Sequence, residues 1–174
     1  MKPLFLDFDK FIQENEHLLV PPVNNKTIFR TNDYIVMVVG GPNARTDFHI
    51  NTTDEWFYQI KGRAEVNVYD EDSKSIKNIV LDKGKMAVVP GNVPHNPVRH
   101  PDSLGLVVER VRPQGTFDKM RWYCSKCSSP VHEVEFQLET IDHDIAFNIQ
   151  KIKDNDLKDL VCKHCGHQNK THYE

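Results

Sequence analysis

From Thr27 to Glu109 short apolar runs alternate with turn signals, and long helical periodicity is absent. The runs are YIVMVV, EWFYQI, AEVNVYD, SIKNIVL, KMAVVP and LGLVVER. They are punctuated by GGPN at Gly40, KG at Gly62, DEDSK at Asp70, DKG at Gly84 and PGN at Pro90. Regular short strands of this kind predict an all-β antiparallel sandwich or barrel. A chemical site in such a fold most often occupies the barrel mouth.

The flanks read differently. MKPLFLDFDKFIQENEHLL places Phe8, Phe11, Ile12, Leu18 and Leu19 close to helical spacing, which predicts a short amphipathic helix ending before Pro21 and Pro22. After Arg112-Pro113-Gln114-Gly115 come RWYCSKC, a strand in PVHEVEFQL, a charged helical stretch from about Asp142 to Leu160, and VCKHCGHQNK. The expected organisation is a barrel domain with its N-terminal helix over residues 1–112 and a C-terminal extension over 113–174. No repeat or low-complexity segment interrupts it.

Composition narrows the function classes. The 174 residues suit one well-buried domain with a small appendage. Twenty-two Lys and Arg against 25 Asp and Glu leave a net charge of -3 with no single-sign block, which argues against a nucleic-acid or anionic-membrane partner. No apolar run approaches the length of a membrane span, and acidic residues interrupt any signal-peptide core, so a cytoplasmic protein is expected. The four cysteines, Cys124, Cys127, Cys162 and Cys165, form two C-x-x-C pairs around a 34-residue insert. That arithmetic favours a tetrahedral thiolate metal site, of Zn or Fe, over two disulfides or free thiols. Its expected role is a structural staple for a small tail.

TDFHINTTDEWFYQIKG is the chemically richest stretch. Arg45, Asp47 and His49 share one parity, so an extended Ala44–Ile50 would project all three from one face, and Glu55 opens the next strand. In PGNVPHNPVRH, His95 and Arg99 share parity, and Glu109 closes LGLVVER. Two imidazoles and one carboxylate on an octahedral ion leave three positions open, the arrangement of non-haem Fe(II) oxygenases. The residues also admit plainer roles: His49 as a hydrogen-bonded core histidine, Arg99 with Glu109 as a structural ion pair, Arg45 paired with Asp47, and Trp56, Phe57 and Tyr58 as packing.

These segments resemble the two cupin motifs. Gly41 through Gly62 is similar to the first, with His49 and Glu55 as metal residues, and Gly84 through Pro90 to His95 to the second. Asp47 stands where the usual H-x-H pair has its first histidine, the gap from His49 to Glu55 is longer than common, and Arg99 replaces a frequent Asn. NARTDFHINTTDEWFYQIKG, PGNVPHNPVRH, VVERVRPQG and the terminal C-x-x-C pairs together resemble the short, single-cupin 3-hydroxyanthranilate 3,4-dioxygenases, from Pro21 through Cys162.

The resemblance implies a cupin barrel with catalytic Fe(II) on His49, Glu55 and His95, and structural Fe or Zn on the four cysteines. It implies that Arg99 and Glu109 hold the substrate, that Arg45 stands near bound oxygen and the substrate ring, and that Asp47 supports the site. The substrate would be 3-hydroxyanthranilate with O2, whose phenolic oxygen and amine can chelate Fe(II) beside Glu55. The product would be an aminocarboxymuconate semialdehyde on the route from tryptophan to quinolinate and NAD. Short members of the family are commonly dimers, so a homodimer is implied. Two other functions compete: a non-catalytic cupin binding a small anionic metabolite, and a metal-dependent cupin isomerase.

Overall fold

The computed structural model describes residues 4–20 and 24–173. Helix α1 covers Phe8–Asn15, with Asp7 capping it by accepting from the Lys10 amide at 3.1 Å. One further 3-10 turn, Glu16–Leu18, ends the expected helical segment, and Pro21 and Pro22 lie outside the described residues. Eleven strands follow among the described residues: β1 Asn25–Arg30, β2 Tyr34–Gly40, β3 Phe48–Ile50, β4 Glu55–Lys61, β5 Arg63–Asp70, β6 Ser75–Asp82, β7 Met86–Val89, β8 His95–Arg99, β9 Leu104–Arg110, β10 Asp118–Tyr123 and β11 Pro130–Phe136. All six apolar runs between Thr27 and Glu109 are strands. The second helix, α2, spans Ile141–Asp154 and stops short of Leu160, because Asp156 and Leu157 take left-handed backbone angles before a 3-10 turn at Lys158–Leu160.

The strands form two antiparallel sheets, one of five strands in the order β1-β2-β9-β4-β7 and one of six in the order β11-β10-β3-β8-β5-β6. This is the expected all-β cupin arrangement. Alternation along β4 sends one parity inward: Glu55, Phe57 and Gln59 are buried while Trp56 and Tyr58 stack on the outer face. Ile35, Met37, Phe57, Val89 and Val107 from the first sheet meet Ala64, Val66 and Leu81 from the second in the main core. Burial of that order, at roughly 25 cal/mol per Å² of apolar surface, holds the sheets face to face. Between β4 and β5, Gly62 has φ of 66°, and a Cβ there would come 2.9 Å from the Asp102 carbonyl oxygen, so the tight reversal requires glycine.

A second core forms where α2 lays Ile145, Ile149 and Ile152 on Met120 and Trp122 of β10. Met120 faces His49 across the β10–β3 pair. The chain after Pro113 therefore supplies a strand beside β3 and a helix over the same end of the barrel.

Candidate active site

The three expected metal ligands come from both sheets. His49 on β3 pairs directly with His95 on β8, and Glu55 opens β4 in the opposing sheet. All three are buried, and one ligand atom from each lies within 4.8 Å of the others. Ligands at about 2.1 Å from an ion stand at such separations, so the donor set fits a metal. Glu55 Oε2 is 2.9 Å from His95 Nε2, while His95 Nδ1 donates to the Val93 carbonyl at 2.9 Å, which leaves Nε2 as the atom presented to the site. Burial pulls Glu55 upward, yet the charge and hydrogen bond of His95 outweigh it and hold the carboxyl at about 2. Burial lowers His49, against the pull of Asp118. His95 is raised, because Glu55 overcomes its burial.

Behind this trio runs a charged network that sequence reasoning missed. Asp118 Oδ2, on β10, lies 2.7 Å from His49 Nε2 and 2.9 Å from Arg112 Nη2. Arg112 also reaches Glu109 Oε1 at 2.7 Å. The ion pair weighed between Arg99 and Glu109 is thus not what forms; Glu109 pairs with Arg112. Nothing in a periodicity reading flags Asp118. Arg112 sits three residues after Glu109 within VVERVRPQG, a spacing that does not place two groups together along a regular strand.

Glu109 stands directly across from Glu55 on adjacent strands, and its Oε2 is buried without a hydrogen-bond partner. Burial first, and the Glu55 charge second, push it up to about 7 in spite of Arg112. Arg99 is 4% exposed and among the described residues has no carboxylate at ion-pair distance. Its Nη1 donates to Gln59 Oε1 at 3.3 Å, and burial lowers it to about 10. Room for that guanidinium comes from Gly105 on β9, where a Cβ would meet Arg99 Nη1 at 2.5 Å.

Arg45 and Asp47 lie in the segment before β3, which is not a regular strand; Arg45 makes only an isolated bridge, with His172. Arg45 Nη1 is 3.5 Å from Asp47 Oδ2, so the two do approach as a pair. Their hydrogen-bonding is incomplete: Arg45 Nε and both Asp47 oxygens are buried without partners. The Asn96 amide donates to the carbonyls of Arg45 and Asp47 at 2.8 and 2.7 Å and fixes their backbone.

A cavity of about 480 Å³ opens onto part of this constellation, while Asp47 and Glu109, both expected at the site, lie outside its lining. His49, Glu55, His95, Arg45 and Arg99 line it, with Phe57 and Val107 as apolar wall. Ile145, Ile149 and Lys153 of α2, together with His172, close one side, so the C-terminal part contributes to the wall as well. A concave pocket that mixes apolar side chains with converging polar and charged ones has the character of a small-molecule site.

The four cysteines also converge, as expected. Cys124 Sγ is 3.6 Å from Cys165 Sγ and Cys127 Sγ is 3.7 Å from Cys162 Sγ. Thiolates about 2.3 Å from a tetrahedral ion sit about 3.8 Å apart, far from the roughly 2.05 Å of a disulfide. The set fits one metal ion, and the disulfide alternative is excluded by the free thiols.

Residues 2–154 match the model of a protein family described as 3-hydroxyanthranilic acid dioxygenase. The chain belongs to this family. It is therefore an enzyme of the dioxygenase class. A relative from Yarrowia lipolytica named 3-hydroxyanthranilate 3,4-dioxygenase is 47% identical over 163 residues, 92% of this chain and 93% of its own length. One of the same name from Neurospora crassa is 45% identical over 161 residues, 92% and 87% of the two chains. Among solved structures, a cupin-2 domain protein from Shewanella frigidimarina is similar at a TM-score of 0.47 and 25% identity, covering 62% of this chain and 95% of that one.

Proposed function

We propose that the protein opens the ring of 3-hydroxyanthranilate with O2, yielding 2-amino-3-carboxymuconate semialdehyde on the way to quinolinate and NAD. The observation that supports this reading, beside family membership, is Arg99: a buried guanidinium lining the cavity, with no carboxylate among the described residues at ion-pair distance and only the Glu55 charge acting on it from further off. A substrate carboxylate supplies that partner in a planar, two-pronged contact, and Gln59 aims the guanidinium before the substrate arrives.

His49, Glu55 and His95 are the residues that would hold Fe(II), which when bound supplies redox chemistry and open positions for ligands. The chain's own groups do the remaining work. Glu109, with an unpartnered Oε2 and a raised pKa, takes a proton from the substrate's hydroxyl or amine as the ring becomes electron-rich. Arg45 offers a positive charge, incompletely satisfied by Asp47, to negative charge that develops at the reacting end of the ring. Phe57, Val107, Ile145 and Ile149 exclude water around these charges and so strengthen them. The Cys124, Cys127, Cys162 and Cys165 site would hold Fe or Zn as a structural staple.

The same proposal covers the surroundings. No helix among the described residues is long and apolar enough to cross a membrane. Reduced C-x-x-C pairs suit the cytoplasm. A homodimer is supported by the outer face of the five-stranded sheet, where Tyr34, Met86 and Val88 are exposed beside Trp56 and Tyr58. The test of function is oxygen uptake by Fe(II)-loaded protein on addition of 3-hydroxyanthranilate. Uptake matched to a new ring-opened absorbance supports it; a protein shown to hold iron that consumes no oxygen contradicts it.

A further inference from the structure

We propose that the C-terminal segment Asn169–Tyr173 is a positioning strand for Arg45, one that ties the four-cysteine centre to the substrate cavity. The proposal rests on the reading of Arg45 as a residue of the reaction.

The backbone around Arg45 has little ladder of its own, since β3 begins only at Phe48. The C-terminal segment supplies it. Thr46 donates its amide to the Thr171 carbonyl at 3.0 Å and its hydroxyl to the Lys170 carbonyl at 2.6 Å, and the Tyr173 amide donates to the Ala44 carbonyl at 2.6 Å. Arg45 and His172 face each other as bridge partners between these bonds. The Tyr173 hydroxyl then donates to Asn96 Oδ1 at 3.3 Å, and Asn96 is the residue whose amide holds the carbonyls of Arg45 and Asp47.

At its other end the segment is locked to both cysteine knuckles through Asn169. The Asn169 amide and Nδ2 both donate to the Leu160 carbonyl at 3.0 Å, just before Cys162. Its Oδ1 accepts from the Ser125 amide at 2.9 Å, just after Cys124. Asn169 and Thr171 are buried, and two residues separate Asn169 from His172, which lines the cavity. Order in the knuckles is thus passed over a few residues to the backbone of Arg45. That matters because the Arg45 side chain is weakly held: its Nε has no partner and its contact with Asp47 is 3.5 Å long. Where the head group is loosely fixed, the backbone sets its position, and a displacement on the order of 1 Å costs about 10²-fold in rate.

The test is a double-mutant cycle on kcat/KM for 3-hydroxyanthranilate, with metal content at both centres and substrate affinity under argon measured in every variant. The variants are a chain ending at Asn169, Arg45→Ala, and the two combined. The expected result is a loss of roughly 10- to 100-fold on truncation with both metals retained, and less than about a twofold further loss when Arg45 is already alanine. Losses that multiply, or a truncated chain as active as the full one, overturn the proposal alone. An Arg45→Ala protein with undiminished activity overturns it together with the reading of Arg45. Should truncation fail to fold, Tyr173→Phe, which removes only the hydroxyl held by Asn96, replaces it in the same cycle with the same criteria.

Discussion

Glu55 and Glu109 are cross-strand neighbours on β4 and β9, both buried, and they are held in opposite electrostatic states. Glu55 is drawn to about 2 by His95 despite its burial, whereas Glu109 is pushed to about 7 by burial and by Glu55 itself. One carboxylate is kept charged for a metal and the other is poised to exchange a proton near neutral pH. Replacing Glu109 with Gln should leave iron content unchanged and lower kcat by roughly 10²- to 10⁴-fold, the usual worth of a positioned acid or base. Steady-state kinetics on protein with verified iron content is the check.

The raised Glu109 pKa also predicts a pH dependence of stability in the metal-free protein. Its folded pKa of about 7 exceeds the ordinary 4.5, so the folded state holds this proton more tightly. The resulting contribution is complete below pH 4.5 and is lost as pH rises through 7. Urea denaturation from pH 5 to 8 should therefore show a steeper decline for the unmodified protein than for Glu109→Gln; parallel curves would remove Glu109 as a titrating group.

Arg99 should govern affinity. Arg99→Ala is expected to retain iron and to weaken 3-hydroxyanthranilate binding by roughly 2 to 5 kcal/mol, the cost of removing one side of a buried charge pair. Gly105→Ala should reproduce part of that loss without touching a charge, because the added methyl meets the guanidinium at 2.5 Å. Anaerobic titration of both variants decides it: unaltered affinity in Arg99→Ala would take Arg99 out of the site.

Cys124→Ser should release the tail metal and lower thermal stability, since two knuckles, Asn169 and the core beneath α2 all meet there. Metal analysis with thermal unfolding reads both effects, and unchanged values in both would end the structural role.

Much of this was legible in the sequence. Short β-rich runs between turn signals mark the six strands, a local property, and the resemblance to the two cupin motifs singles out His49, Glu55 and His95, which the fold brings together. Asp118, Arg112 and Gln59 were not legible. Asp118 reaches the site because β10 pairs with β3 and sets it beside His49 across 69 positions, Arg112 folds back from just beyond β9 onto Glu109 and Asp118, and Gln59 of β4 meets Arg99 of the opposing sheet. The Arg45 segment was expected to be extended because parity alone was available; what actually orders it is Thr171, 125 positions away, and no local pattern encodes such a contact.

The proposed role of His49, Glu55 and His95 is to hold the iron at which 3-hydroxyanthranilate reacts with O2. The most direct measurement is product mass after turnover under 18O2, run side by side on iron-reconstituted protein and on His49→Ala. With the aldehyde trapped before it exchanges or cyclises, the unmodified protein should give a product carrying both labelled atoms, and His49→Ala should retain no iron and give no product. Iron and product both retained in His49→Ala, or a product lacking the label, would contradict it.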